Sequence, residues 1–132
     1  MVMLMSKNVT KAQQINELEA QIEFMRAQYP KVSAMRSLSG RDVPNQFIIT
    51  TYDKTIFQSY NSVIAVKYND GSVILGEDWD YSATTGKYRN QFLGEGIAET
   101  RKKIADGSYT IWHDFDFTDL LNRKPLLRNR KN

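Results

Sequence analysis

The chain has 132 residues, 41% of them hydrophobic and 11% aromatic, which allows one domain with a modest core plus appendages and excludes a multidomain architecture. It has no cysteine, so disulfide frameworks and thiol chemistry are excluded and a reducing cytoplasm fits; no apolar run approaches the roughly 20 residues of a membrane span. The net charge of +3 is unevenly spread: without Arg123, Lys124, Arg128, Arg130 and Lys131, all beyond the last acid Asp119, eighteen basic residues fall to thirteen against fifteen acidic ones.

The opening Met1-Val2-Met3-Leu4-Met5 is apolar but too short for a signal peptide, and reads as a frayed start or a small hydrophobic hook. Residues 9–29 carry the clearest helical signal. Thr10 is a natural N-cap, Ile15, Leu18, Ile22, Met25 and Tyr29 form one stripe, and Pro30 stops the element. Residues 1–30 are therefore expected to be an N-terminal amphipathic helix. The stripe either packs on its own domain or pairs two chains into a homodimer. At about two heptads it is short for a coiled coil. Residues 31–44, with Ser33, Ser37, Ser39, Gly40 and Pro44, read as a linker.

From Asn45 the pattern turns to short β-like runs at 46–51, 55–60, 63–68 and 72–75. Turns fall at Tyr52-Asp53-Lys54, at Asn61-Ser62 and at Asn69-Asp70-Gly71, where Asn and Gly tolerate positive φ. Thr84-Thr85-Gly86 opens a helix that runs to Leu93 with Gly94 as its stop. A second helix spans about 97–105 and ends at Asp106-Gly107, and Ser108 to Trp112 is a fifth strand candidate. The expected fold is α+β: an antiparallel meander sheet of four to five strands with two packed helices, over residues 45–121, followed by a basic tail at 122–132.

The densest window is Trp79 to Gly94, with four aromatics, Thr84-Thr85-Gly86 and the Lys87/Arg89 pair. Together with Phe57-Gln58-Ser59-Tyr60-Asn61-Ser62-Val63-Ile64-Ala65 and the Glu99 to Tyr109 segment, it resembles a family of small bacteriophage accessory proteins of unknown function. In that family an FQSY…IA strand precedes a WDYS-TT-KYRN-FL block and a closing I..G.Y element. The resemblance covers about residues 45–111. It implies a phage origin, an accessory domain in the host cell cytoplasm, and action by binding host machinery rather than by a reaction.

Several constellations fail on inspection. Asp78-x-Asp80-x-Ser82 begins like a calcium loop, but the required Gly and Glu are replaced by Ala83 and Arg89, which leaves Asp80 or Ser82 to cap the next helix. Gly86-Lys87 lacks the remainder of a P-loop. His113, Asp114, Asp116 and Asp119 include the chain's one histidine and fall short of a convergent metal set. No Ser-His-Asp set or nucleophile elbow is recognisable.

The leading expectation is a non-enzymatic phage interaction protein that binds and inhibits or redirects a host protein complex, in defence or nucleic-acid processing, with no cofactor, no metal and no membrane. The alternative is a nucleic-acid-binding accessory protein. There, Thr85 and the helix start, with Lys87 and Arg89, hold phosphate, and Tyr88 or Trp79 stacks on a base beside Tyr81. Arg123, Lys124, Arg128 and Arg130 then add backbone contacts. Ile15, Leu18, Ile22 and Met25 are the candidate association residues. The plainer reading makes Trp79, Tyr81 and Phe92 core anchors, with Lys87 and Arg89 solvated or paired to Glu77 and Asp78.

Overall fold

Thr10 starts the first helix by a reciprocal cap. Its hydroxyl accepts from the Gln13 backbone N–H at 3.1 Å, and its own backbone N–H donates to the Gln13 side chain at 2.9 Å. Helix α1 follows over Lys11–Ala27. The computed structural model describes residues 10–113, and past α1 they form one sheet with two further helices.

Strands β1 (Lys31–Arg36), β2 (Asp42–Thr50), β3 (Lys54–Ser59), β4 (Ser62–Tyr68) and β5 (Val73–Gly76) follow in order, each antiparallel to the one before. Helices α2 (Ala83–Leu93) and α3 (Ile97–Ala105) then return the chain to the starting end of β5, so that β6 (Tyr109–Trp112) lies parallel to it. A parallel neighbour needs such a crossover, whereas hairpins suffice for the others. The sheet order is β1-β2-β3-β4-β5-β6.

Two corrections to the sequence expectation follow. The sheet has six strands rather than four or five, and is mixed rather than wholly antiparallel. The stretch read as a linker at 31–44 is strand β1 and the start of β2, joined by a hairpin with Gly40 at φ +87°. β1 is an edge strand whose one buried residue is Met35, so it carries no alternating apolar pattern to read.

The core lies in cross-strand rows. Ile48, Phe57, Ala65 and Leu75 are successive ladder partners on one face, continued by Ile111. Tyr88 and Phe92 of α2 and Ile104 of α3 pack on that face, with Phe57 and Phe92 ring centroids 5.8 Å apart. Ile49, Ile56, Val66 and Ile74 form the next row on the opposite face, where all four are buried with Tyr68. Both faces are thus apolar, which explains the runs that the period-2 pattern left ambiguous. The turns fall as their residues dictate, with Gly71 at φ +94° closing β4 to β5.

Candidate functional site

The Trp79–Gly94 block is built around the start of α2. Ser82 is its N-cap, the hydroxyl accepting from the Thr85 backbone N–H at 3.2 Å, and Gly94 ends the helix in the left-handed conformation. The Thr85 hydroxyl lies 3.0 Å from that of Ser59, which pins the helix start to β3 inside the fold. One turn on, Arg89 points back under the preceding loop. Its Nη1 donates to the Trp79 backbone oxygen at 2.8 Å and to Asp80 Oδ1 at 3.3 Å, and its Nη2 donates to Asn90 Oδ1 at 2.9 Å. The guanidinium lies 5.3 Å from the Trp79 ring centroid. The other Asp80 oxygen accepts from Arg101 of α3 at 3.3 Å.

This geometry places the residues named for the nucleic-acid expectation. Arg89 is 2% exposed and its two terminal nitrogens are occupied by the Trp79 carbonyl, Asp80 and Asn90, while its buried Nε meets no partner among the described residues, so it holds the scaffold and does not reach a phosphate. Tyr88 is buried against the sheet and cannot stack on a base, and Thr85 is buried as well. Trp79 is half-buried against the core. Of that set, Lys87 and Tyr81 reach the surface, Lys87 with its Nζ 5.3 Å over the Tyr88 ring and Tyr81 at 72% exposure. Glu77 and Asp78 do not pair with the basic residues either. Glu77 meets His113 at 3.0 Å, and Asp78 accepts from the Ser62 hydroxyl at 2.8 Å. Arg123, Lys124, Arg128 and Arg130, with Asp114, Asp116 and Asp119, lie outside the described residues.

Two stretches quoted for the sequence resemblance meet in space. A cleft of about 560 Å³ opens between the β3–β4 turn and the start of α2, with Ser59, Tyr60 and Ser62 on one wall and Asp78, Tyr81 and Thr84 on the other. Tyr60 stands at φ +54°, a conformation that bulky residues adopt at a cost of about 1 kcal/mol or more. Its backbone is tied in place: its N–H donates to the Asn45 carbonyl at 2.7 Å and its carbonyl accepts from the Gln58 side chain at 2.7 Å. Nearby, Gln46 is fully buried directly across the ladder from Ser59, and neither of its amide atoms finds a partner among the described residues. The sequence reading places Ser59 and Tyr60 at the end of a strand run and Ser62 in a turn, and assigns none of them to a site. Asp78 is the one charged side chain among the described residues of the walls, which suits neutral or cationic groups over phosphate.

A second polar cluster closes the far end of the crossover. Glu95 accepts from Thr100 Oγ1 at 2.5 Å, from Lys103 Nζ at 2.8 Å and from the Tyr109 hydroxyl at 3.0 Å. Burial pushes the Glu95 carboxyl up, but the hydrogen bonds from Lys103, Thr100 and Tyr109 outweigh it and hold the group below its ordinary value. Burial and the bond to Glu95 raise the Tyr109 hydroxyl. The set braces α3 and β6.

α1 differs from the rest. No residue of it is buried, and Ile15, Leu18, Ile22 and Met25 are 53%, 56%, 46% and 53% exposed. The expectation that the stripe packs on its own domain is therefore overturned. The apolar segregation is narrow, because Phe24 and the alanines Ala12, Ala20 and Ala27 lie off the stripe. Arg26 touches the domain, its guanidinium 5.0 Å from the Tyr52 ring centroid. Among the described residues there is no group of three or more metal-binding side chains, and no helix is long and apolar enough to cross a membrane.

No curated protein and no solved structure matches the chain. A family model matches residues 31–108, which is more than half of the chain. The match begins at β1, which confirms that strand as part of the domain, and it ends as β6 begins, leaving α1 outside. The chain belongs to the family of unknown function DUF8033.

Proposed function

We propose that the protein is a non-enzymatic interaction protein that binds a protein complex and inhibits or redirects it, with α1 as its association element. The observation behind this reading is the uncovered stripe. A 17-residue helix carries Ile15, Leu18, Ile22 and Met25 at the surface, and its own domain buries none of them. An apolar row held in water at that length is the usual mark of a protein-docking face. In the phage setting that the sequence resemblance implies, the complex is host machinery of defence or nucleic-acid processing. The Arg89 and Glu95 networks support the same reading, because the strongest polar clusters of the domain are consumed by structure rather than aimed at a reacting group.

The test is capture from host lysate with the full chain as bait, with and without nuclease, beside the double variant Leu18→Glu/Ile22→Glu. The reading expects a stoichiometric protein partner that survives nuclease and is lost with the variant. Loss of every partner on nuclease treatment overturns it in favour of nucleic-acid binding through Lys87 and the tail arginines.

A further inference from the structure

We infer that the α1 stripe pairs with the same stripe of a second copy of this chain, as a short parallel two-stranded coiled coil. The inference rests on the reading of α1 as an association element and names its occupant. Ile15 and Ile22 fall at a positions, with Leu18 and Met25 at d, so the apolar seam covers residues 15–25 of α1 and the preceding d position is Lys11. Isoleucine at a with leucine at d is the combination that favours two parallel strands. The four side chains are solvent-facing along the whole seam, so a second helix meets no obstruction from the residues that flank it on α1.

The flanking charges choose the direction. In a parallel pair each g residue faces the e residue five positions on in the partner. Gln14 then faces Glu19 and Gln21 faces Arg26, so no like charges meet between these flanking positions; the one like-charge contact is Lys11 with its own copy, at the open end of the seam. An antiparallel pair that stacks Ile15 on Met25 and Leu18 on Ile22 is centred at Ala20. That register brings Glu19 of one helix against Glu19 of the other, and like-charge contact opposes it. Two heptads give few core layers, so the pair is concentration-dependent rather than permanent. Parallel pairing hangs both domains, each with its Tyr60/Tyr81 cleft, from the same end of the coil. Such an arrangement raises avidity for a repetitive or dimeric target without any new contact.

Sedimentation equilibrium of the full chain across a hundredfold concentration range is the first measurement, and the expected result is a mass that rises from monomer to dimer. The variant Leu18→Glu/Ile22→Glu is expected to stay monomeric with an unchanged unfolding midpoint, because α1 buries nothing in its own domain. Direction is read with engineered thiols, for which the cysteine-free chain is a clean background. Met25→Cys should form a disulfide with itself on mild oxidation. In the antiparallel register the two Met25 positions lie ten residues apart along the axis, about 15 Å by helical rise, and cannot join. A wild-type monomer at every concentration overturns the inference. So does a disulfide that forms between Ile15→Cys and Met25→Cys chains while Met25→Cys alone gives none. A monomer that still captures a nuclease-resistant partner overturns the pairing and leaves the interaction reading standing. A dimer that captures nothing does the reverse.

Discussion

The Arg89 guanidinium donates to the Trp79 backbone oxygen at 2.8 Å, tying the second turn of α2 to the loop that precedes the helix. The guanidinium itself lies against the Trp79 ring, 5.3 Å from its centroid, while its nitrogens answer Asp80 and Asn90. Arg89→Ala is expected to lose about 2–3 kcal/mol in urea unfolding, most of it from packing and the orphaned carbonyl, since Asp80 is open enough to rehydrate. Arg89→Lys should recover only part of that, because an ammonium cannot reproduce the fork.

Gly86 sits inside α2 beside the same guanidinium. An added Cβ there meets Arg89 Nη2 at 3.5 Å, an ordinary contact, and the backbone is helical. Gly86→Ala should therefore stabilise the protein by roughly 0.5–1 kcal/mol, as helix propensity dictates. The readout is a rise in the thermal midpoint.

Gln46 buries an amide that finds no partner among the described residues. Replacing it by the similarly shaped methionine removes that desolvation cost and keeps the volume. Gln46→Met is expected to unfold at higher urea than the wild type, by about 1 kcal/mol. A loss of stability instead would point to a polar role for this side chain within the fold.

Glu95 sets an acid limit. Its carboxyl is held below the ordinary value of 4.5, so the folded state binds a proton less readily there than the unfolded chain. That contribution is complete above the unfolded value and is lost as pH falls through the folded one. Glu95→Gln should cost about 1–2 kcal/mol at pH 7 and flatten the stability profile on the acid side. Denaturation midpoints measured from neutral to acidic pH check both parts.

Much of the fold was legible because local chemistry dictated it. Thr10, Ser82 and Gly94 capped helices as their side chains or their lack of one require, and Asn69-Asp70-Gly71 turned a hairpin. Edge strand β1 was not legible, since a strand with one buried residue and Ser33, Ser37 and Ser39 around it looks like a linker. The parallel placement of β6 depends on where α2 and α3 return the chain, which no local pattern encodes. At the candidate site, the density of Trp79 to Gly94 is legible in the sequence, but which of its side chains turn inward is not. A sequence shows that Arg89 carries charge, but only the loop at Trp79 and Asp80 shows that the charge is turned inward. Tyr60 reads as the end of a strand run, and a tyrosine there signals nothing until its positive φ is known.

The parallel β5–β6 pair also orders events in time. Each of the first five strands finds its neighbour one hairpin away, while β6 reaches β5 only after both helices have been laid down. Local pairings close fast and distant ones wait on loop closure. A growing chain that has passed Gly76 but not Tyr109 therefore carries a formed meander with the Val73–Gly76 edge open. An open apolar edge recruits other strands, so truncations within the crossover should turn a discrete domain into an adhesive one.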